Sequence, residues 1–163
     1  SYNPLSPEER FVIEAKGTES PFTGEYDDFY EDGVYNMWYT YLTGDGAMAI
    51  FYATSTDGLD WAHYGSVMRS TEPWEHKNVL YPYVLKRNGV YEMYYTSYGE
   101  VCDLAVAFSE DGTHWEKTGG PILSPDPDSR WDSVYCSNAS VLIEPDGRDG
   151  REVSPLVFPE AAP

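Results

Sequence analysis

Two stretches of this chain can be laid over one another. Gly33-Val-Tyr-Asn-Met-Trp-Tyr-Thr40 is followed by Ser55-Thr-Asp-Gly-Leu-Asp-Trp61, and Gly89-Val-Tyr-Glu-Met-Tyr-Tyr-Thr96 is followed by Ser109-Glu-Asp-Gly-Thr-His-Trp115. The motifs recur in the same order at offsets of 56 and 54 residues, with six of eight and four of seven positions identical. Such a period marks an array of supersecondary units, each of which needs a neighbour to bury its apolar face. A third copy is predicted to begin near Trp131. There Asn138-Ala-Ser-Val-Leu-Ile143 resembles Tyr81-Pro-Tyr-Val-Leu-Lys86 as an apolar strand, and Glu144-Pro-Asp-Gly147 stands where Lys86-Arg-Asn-Gly89 turns. Beyond Gly147 the pattern stops. The aromatic second strand is missing, and Pro155, Pro159 and Pro163 interrupt any ladder.

Each copy reads as β-structure. Residues 34–41 and 90–98 are rich in aromatic and β-branched side chains, and 48–54 and 104–108 read as the strands that follow. Tyr35, Met37 and Tyr39 alternate with Val34 and Trp38, so both faces are apolar. A strand of that kind lies in a sheet covered on both sides. Asp57-Gly58 and Asp111-Gly112 are dipeptides that close tight hairpins. The expectation is all-β: blades of four antiparallel strands stacked radially as an incomplete β-propeller, two to three blades per chain. Residues 1–24 form an N-terminal segment, with a short helical turn at Ser6-Pro-Glu-Glu9 and a strand remnant over 10–15. Residues 25–72 and 73–129 are blades, and 130–163 are a partial blade and tail of the same domain.

Charge narrows the partner. Acidic residues outnumber basic ones 28 to 10, for a net charge of −18. That surface repels phosphate backbones and anionic lipid, so neither nucleic acid nor membrane is an expected partner. Fifteen tyrosines, five tryptophans and six phenylalanines among so many carboxylates fit neutral, hydroxyl-rich ligands such as a glycan. No apolar run approaches the ~20 residues of a membrane helix, and no basic-then-apolar leader is seen. A soluble protein is expected, its compartment left open. Cys102 and Cys136 are compatible with one bridge or with two thiols, small buried hydrophobes being the simpler reading.

The order "apolar strand, Asp-Gly, Tyr-x-Met-Trp-Tyr-Thr, Ala-x-Ser-x-Asp-Gly-x-x-Trp" resembles the blades of five-bladed propeller glycoside hydrolases. That group comprises arabinanases, xylosidases and invertases, with related mannoside phosphorylases. It is carried by residues 32–40 with 53–61, and by 89–96 with 107–115. Trp131-Asp-Ser133 is similar to a Trp-Asp-Ser that precedes an inner strand in such proteins. At 54 to 56 residues a blade the chain holds too few to close a ring, which takes about four or more. A homo-oligomer that closes the propeller is therefore expected, a truncated member of the group being the other reading.

The resemblance implies acids where each innermost strand begins, lining a central funnel. Inverting hydrolysis needs one carboxylic acid to protonate the leaving oxygen and one carboxylate to activate water. In the first copy the place holds Glu25-Tyr-Asp-Asp28, with Asp27 or Asp28 as the base. In the second it holds Tyr81-Pro82 and in the third Asn138-Ala139, so two expected acids are replaced. Glu100, in the loop after Tyr98-Gly99, is the acid candidate, and Asp132 a tuning or substrate-holding one. Each has a plainer reading: a solvated turn for Asp27 and Asp28, a loop charge for Glu100, a bond to nearby amides for Asp132. Tyr81, Tyr83 and Trp131 are candidates to stack on a sugar ring, packing between blades being the favoured alternative for Tyr83. Asn138, Trp74 and His76 complete the candidate substrate contacts. Ser55, Asp57, Trp61, Ser109, Asp111 and Trp115 read as structural. His63, His76 and His114 lack metal-ligand spacing, and no cofactor is expected. Ca²⁺ is compatible with so acidic a chain, but Asp146-Gly-Arg-Asp149 lacks an EF-hand pattern. Two functions follow: hydrolysis of glycosidic bonds by carboxylates, or a non-catalytic carbohydrate-binding or assembly module on the same scaffold.

Overall fold

The computed structural model describes residues 26–129 and, beyond them, 133, 136, 137, 139 and 141. The helical turn expected at 6–9, the remnant at 10–15, and most of the third copy lie outside the described residues. The described chain is all-β, arranged as two four-stranded antiparallel blades. The first runs β1 (Tyr26–Glu31), β2 (Val34–Leu42), β3 (Met48–Ser55) and β4 (Ala62–Met68) in spatial order. The second repeats this with β5 (Asn78–Arg87), β6 (Val90–Tyr98), β7 (Cys102–Ser109) and β8 (Glu116–Lys117). A single 3-10 turn, Pro73–Glu75, interrupts the connection between them.

Local chemistry accounts for the hairpins. Asp32-Gly33 and Asn88-Gly89 each place two successive residues at positive φ, 51° and 84° in one and 53° and 86° in the other. Two left-handed residues in a two-residue loop match the twist of the flanking strands, and Asp-Gly and Asn-Gly tolerate them best. Asp57-Gly58 and Asp111-Gly112 behave differently from expectation. They sit inside longer loops, and side chains rather than strand pairing hold them. The Asp57 carboxylate accepts the amides of Leu59 and Asp60, both at 2.9 Å. Asp111 does the same for Thr113 and His114 at 2.7 and 2.8 Å. These amide bonds draw the Asp57 carboxyl down to about 2.

Repeat and register agree. Tyr35 pairs with Ser55 in the first blade, and Tyr91 with Ser109 in the second. The main core lies between the sheets. Trp38, Ile50 and Tyr52 of the first meet Tyr91, Met93, Tyr95, Ala105 and Ala107 of the second. Trp38 is its largest buried member, 1% exposed. Its indole N–H donates 2.8 Å to the Gly112 carbonyl, and its ring meets Trp115 edge-on at 6.2 Å. On the far side of the second sheet, Tyr94, Leu104 and Val106 pack with Ala139, Val141, Leu123, Tyr83 and Leu85. The second sheet is therefore covered on both faces, as the double-sided apolar pattern of β6 demands.

Candidate functional site

Both innermost strands, β1 and β5, begin at the same end of the blades. The turn from β6 to β7 and the connection over residues 69–77 lie there too. Asp27 and Asp28 fall at the start of β1, in register with Trp38 and Met37. Trp131, Asp132 and Asn138 lie outside the described residues.

In β5 the ladder is broken between Leu80 and Tyr83. Tyr81, inside that bulge, has φ +58°. A left-handed tyrosine costs about 1–2 kcal/mol, so its surroundings must hold it there. One restraint is visible: the Tyr81 amide donates 3.1 Å to Oγ1 of Thr40, across in the first sheet. Bulges re-aim side chains and gather beside functional sites. Here the bulge falls where the resemblance expects an acid. Tyr83, by contrast, is tied into packing between blades. Its hydroxyl donates 3.3 Å to the Val141 carbonyl, and its ring joins the second core.

The 3-10 connection that carries Trp74 and His76 meets the β6–β7 turn that carries Glu100. Trp74 packs against the main core, and its buried indole N–H has no hydrogen-bond partner among the described residues. His76 has φ +54°, and its ring lies so close to Gly99 that a methyl there would sit 2.4 Å from Cγ. Glu100 follows Gly99 in an exposed turn closed by the Gly99 amide on the Val101 carbonyl at 3.0 Å. Behind His76, Nε2 faces the carboxylate of Asp103 at 3.7 Å. Asp103 is 7% exposed and pairs across the ladder with Ser97, whose buried hydroxyl has no partner among the described residues. Sequence reasoning missed Asp103 and Ser97. The available signal was an acid within the apolar run Cys102-Asp-Leu-Ala-Val106.

Glu75 was also missed. It is wholly buried, yet its carboxylate is fully satisfied. Lys117 Nζ lies at 2.6 Å, the Tyr95 hydroxyl donates at 2.8 Å, and the amides of Thr71 and Glu72 donate at 2.8 and 2.9 Å. Burial pushes the Glu75 carboxyl upward, but Lys117 and these donors outweigh it and hold the group below the usual carboxylate range. Lys117 also reaches the Arg69 carbonyl at 2.6 Å. This cluster anchors the connection between blades to the outermost strand, and through it sets where Trp74 and His76 stand. Among the described residues no three His, Cys, Asp or Glu side chains gather to hold a metal. None of the helices there is long and apolar enough to cross a membrane.

No protein-family model matches the chain. An uncharacterized protein of Mycobacterium tuberculosis is 33% identical over 133 residues, covering 76% of this chain and 44% of that protein. Peptide methionine sulfoxide reductase B5 of Arabidopsis thaliana is 53% identical over 77 residues, covering 42% of this chain and 50% of the reductase. The chain thus spans about half the length of the curated relatives it matches. Among solved structures, a family 117 glycoside hydrolase from Zobellia galactanivorans superimposes with a TM-score of 0.61 at 20% identity, over 74% of this chain and 45% of the hydrolase. The GH43 endo-arabinanase of Bacillus licheniformis does so with a TM-score of 0.61 at 18% identity, over 80% of this chain and 47% of that enzyme. At these identities the likeness shows the fold: these are blades of the kind found in propeller glycoside hydrolases.

Proposed function

We propose that the protein is carbohydrate-active, built from the blades of a five-bladed propeller glycoside hydrolase, and that it cleaves glycosidic bonds with carboxylates. The observation that carries this reading is the shared end of the blades. The start of β1, with Asp27 and Asp28, and the β6–β7 turn, with Glu100, both belong to it. Asp27 or Asp28 is assigned the base, Glu100 the acid, and Asp132 a tuning or substrate-holding role. Tyr81, Trp131, Asn138, Trp74 and His76 are assigned to the glycan, and Tyr83 to packing between blades. Two carboxyl groups separated by about 6.5–9.5 Å leave room for the attacking water of an inverting reaction.

One observation favours a binding module instead. The inner strand β5 presents a strained tyrosine where the resemblance expects an acid. Aryl-glycosides and plant or algal polysaccharides, screened against the wild type and against Asp27→Asn, Asp28→Asn and Glu100→Gln, separate the two. Hydrolysis is expected from the wild type and is lost in at least one variant. Retention on a glycan array without turnover replaces the enzyme with the module. The two cysteines are poorly placed to act as nucleophiles. Cys102 and Cys136 are 2% and 1% exposed, and burial pushes the Cys102 thiol up to about 11. A thiol so rarely ionised at neutral pH is a weak nucleophile.

A further inference from the structure

The repeat sets the end of the second blade apart from that of the first. Ser97 and Asp103 face each other across the β6–β7 ladder. Shifted by 56 and 54 residues, the same pair in the first blade is Tyr41 and Ala49, which also face each other. The second blade thus has a hydroxymethyl group where the first has a phenol ring, and a carboxylate where the first has a methyl. Two residues along each strand, Tyr95 and Ala105 lie in the main core. Side chains two apart in a strand share a face. Ser97 and Asp103 therefore continue the core face to the end of the blade where β5 begins.

The pair is buried without the partners that burial demands. Ser97 is wholly buried, and its hydroxyl has no hydrogen-bond partner among the described residues. The Asp103 carboxylate has one partner among those residues, Nε2 of His76, and 3.7 Å is longer than a hydrogen bond. Glu75, on the same connection as His76, is the contrast: it too is buried, and four donors reach it. A carboxylate withdrawn from water is destabilising unless donors replace the water. Packing alone would favour the alanine of the first blade.

We propose that Asp103, Ser97 and His76 form a subsite for sugar hydroxyls at the shared end of the blades. An oxygen about 2.8 Å from both Nε2 and the carboxylate spans their separation as the apex of a triangle. A ligand hydroxyl there donates its proton to Asp103 and accepts the N–H of His76. Ser97, which both donates and accepts, takes the adjacent hydroxyl of the ring. The His76 side chain, 34% exposed, is the outer wall, and it stands there because Gly99 has no methyl to displace it. Asp103 belongs to the third strand of its blade, away from the innermost strands where the resemblance places the acids, so its part is binding and not proton transfer. The inference rests on the glycan reading and not on hydrolysis.

Saturation-transfer NMR of the full chain with the methyl glycosides of L-arabinose, D-xylose, D-fructose and D-mannose tests it. At least one is expected to bind the wild type. Asp103→Ala is expected to raise its Kd roughly 10- to 100-fold, as for a lost hydrogen bond to a charged group. The same variant copies Ala49 of the first blade, so its melting midpoint is expected to equal or exceed that of the wild type. Binding that survives Asp103→Ala unchanged overturns this subsite and leaves the glycan reading standing. A wild type that binds none of the four overturns both. Should the midpoint of the variant fall, or the variant fail to fold, the His76 imidazole nitrogen resonances of the wild type decide. Saturating sugar must shift Nε2, and an unmoved resonance overturns the proposal.

Discussion

Glu75 is the side chain whose contribution is most fully determined by its contacts. Exchanging its carboxylate for an amide leaves the Lys117 ammonium, 11% exposed, without its counter-ion. Glu75→Gln is expected to cost about 3–5 kcal/mol, read from the midpoint of urea unfolding. The pH dependence has a definite sign. A carboxyl held below its ordinary value when folded stabilises above the unfolded value, about 4.3, and that stability is lost as pH falls through the folded one. The wild type should therefore weaken in acid with a steeper slope than Glu75→Gln. Neither Glu75 nor Asp103 was marked as functional by the sequence, because an acid near an aromatic is common and its burial is decided by distant partners. Trp74-Glu75 stands before β5 as Trp131-Asp132 stands before the third copy, 57 residues on.

Elements show which parts of the pattern are local. The four long strands β2, β3, β6 and β7 were legible from alternation and composition, with ends off by a residue or two: 48–54 extends to Ser55, and 104–108 runs from Cys102 to Ser109. The bulge at Tyr81 was not legible. Leu80-Tyr-Pro-Tyr83 reads as continuous strand, and the Tyr81 amide is held by the Thr40 hydroxyl in another sheet. The second Asp-Gly turn carries a load that its sequence does not announce. Gly112 has φ +78°, and a methyl there would lie 2.9 Å from Cζ2 of Trp38. Gly112→Ala thus combines a left-handed penalty with overpacking of the largest core ring. It is expected to destabilise by about 2–4 kcal/mol, whereas Gly89→Ala, at similar φ but with open space around it, should cost only the first part. Paired thermal melts of the two variants check this difference.

For the whole molecule, charge opposes compaction. Ion pairs such as Lys86–Glu31 at 2.6 Å and Arg87–Glu92 at 2.8 Å neutralise few of the acids. Self-repulsion at net charge −18 should fall as salt shortens its range. The melting temperature is therefore expected to rise between low and physiological ionic strength, measured by circular dichroism. A fall would mean that the local pairs outweigh the global repulsion. The amino-acid sequence alone determined that the chain is a repeat of antiparallel hairpins with apolar sides. Those features follow from the two-residue alternation of strands and from turn residues a few positions apart, which act locally. Only the tertiary structure decided which side of each sheet is covered, that Trp38 rests on a loop 74 residues away, and that His76, Gly99 and Asp103 share a corner. Such contacts join residues remote in the chain, and their energies depend on distances that arise only when one sheet is laid upon another.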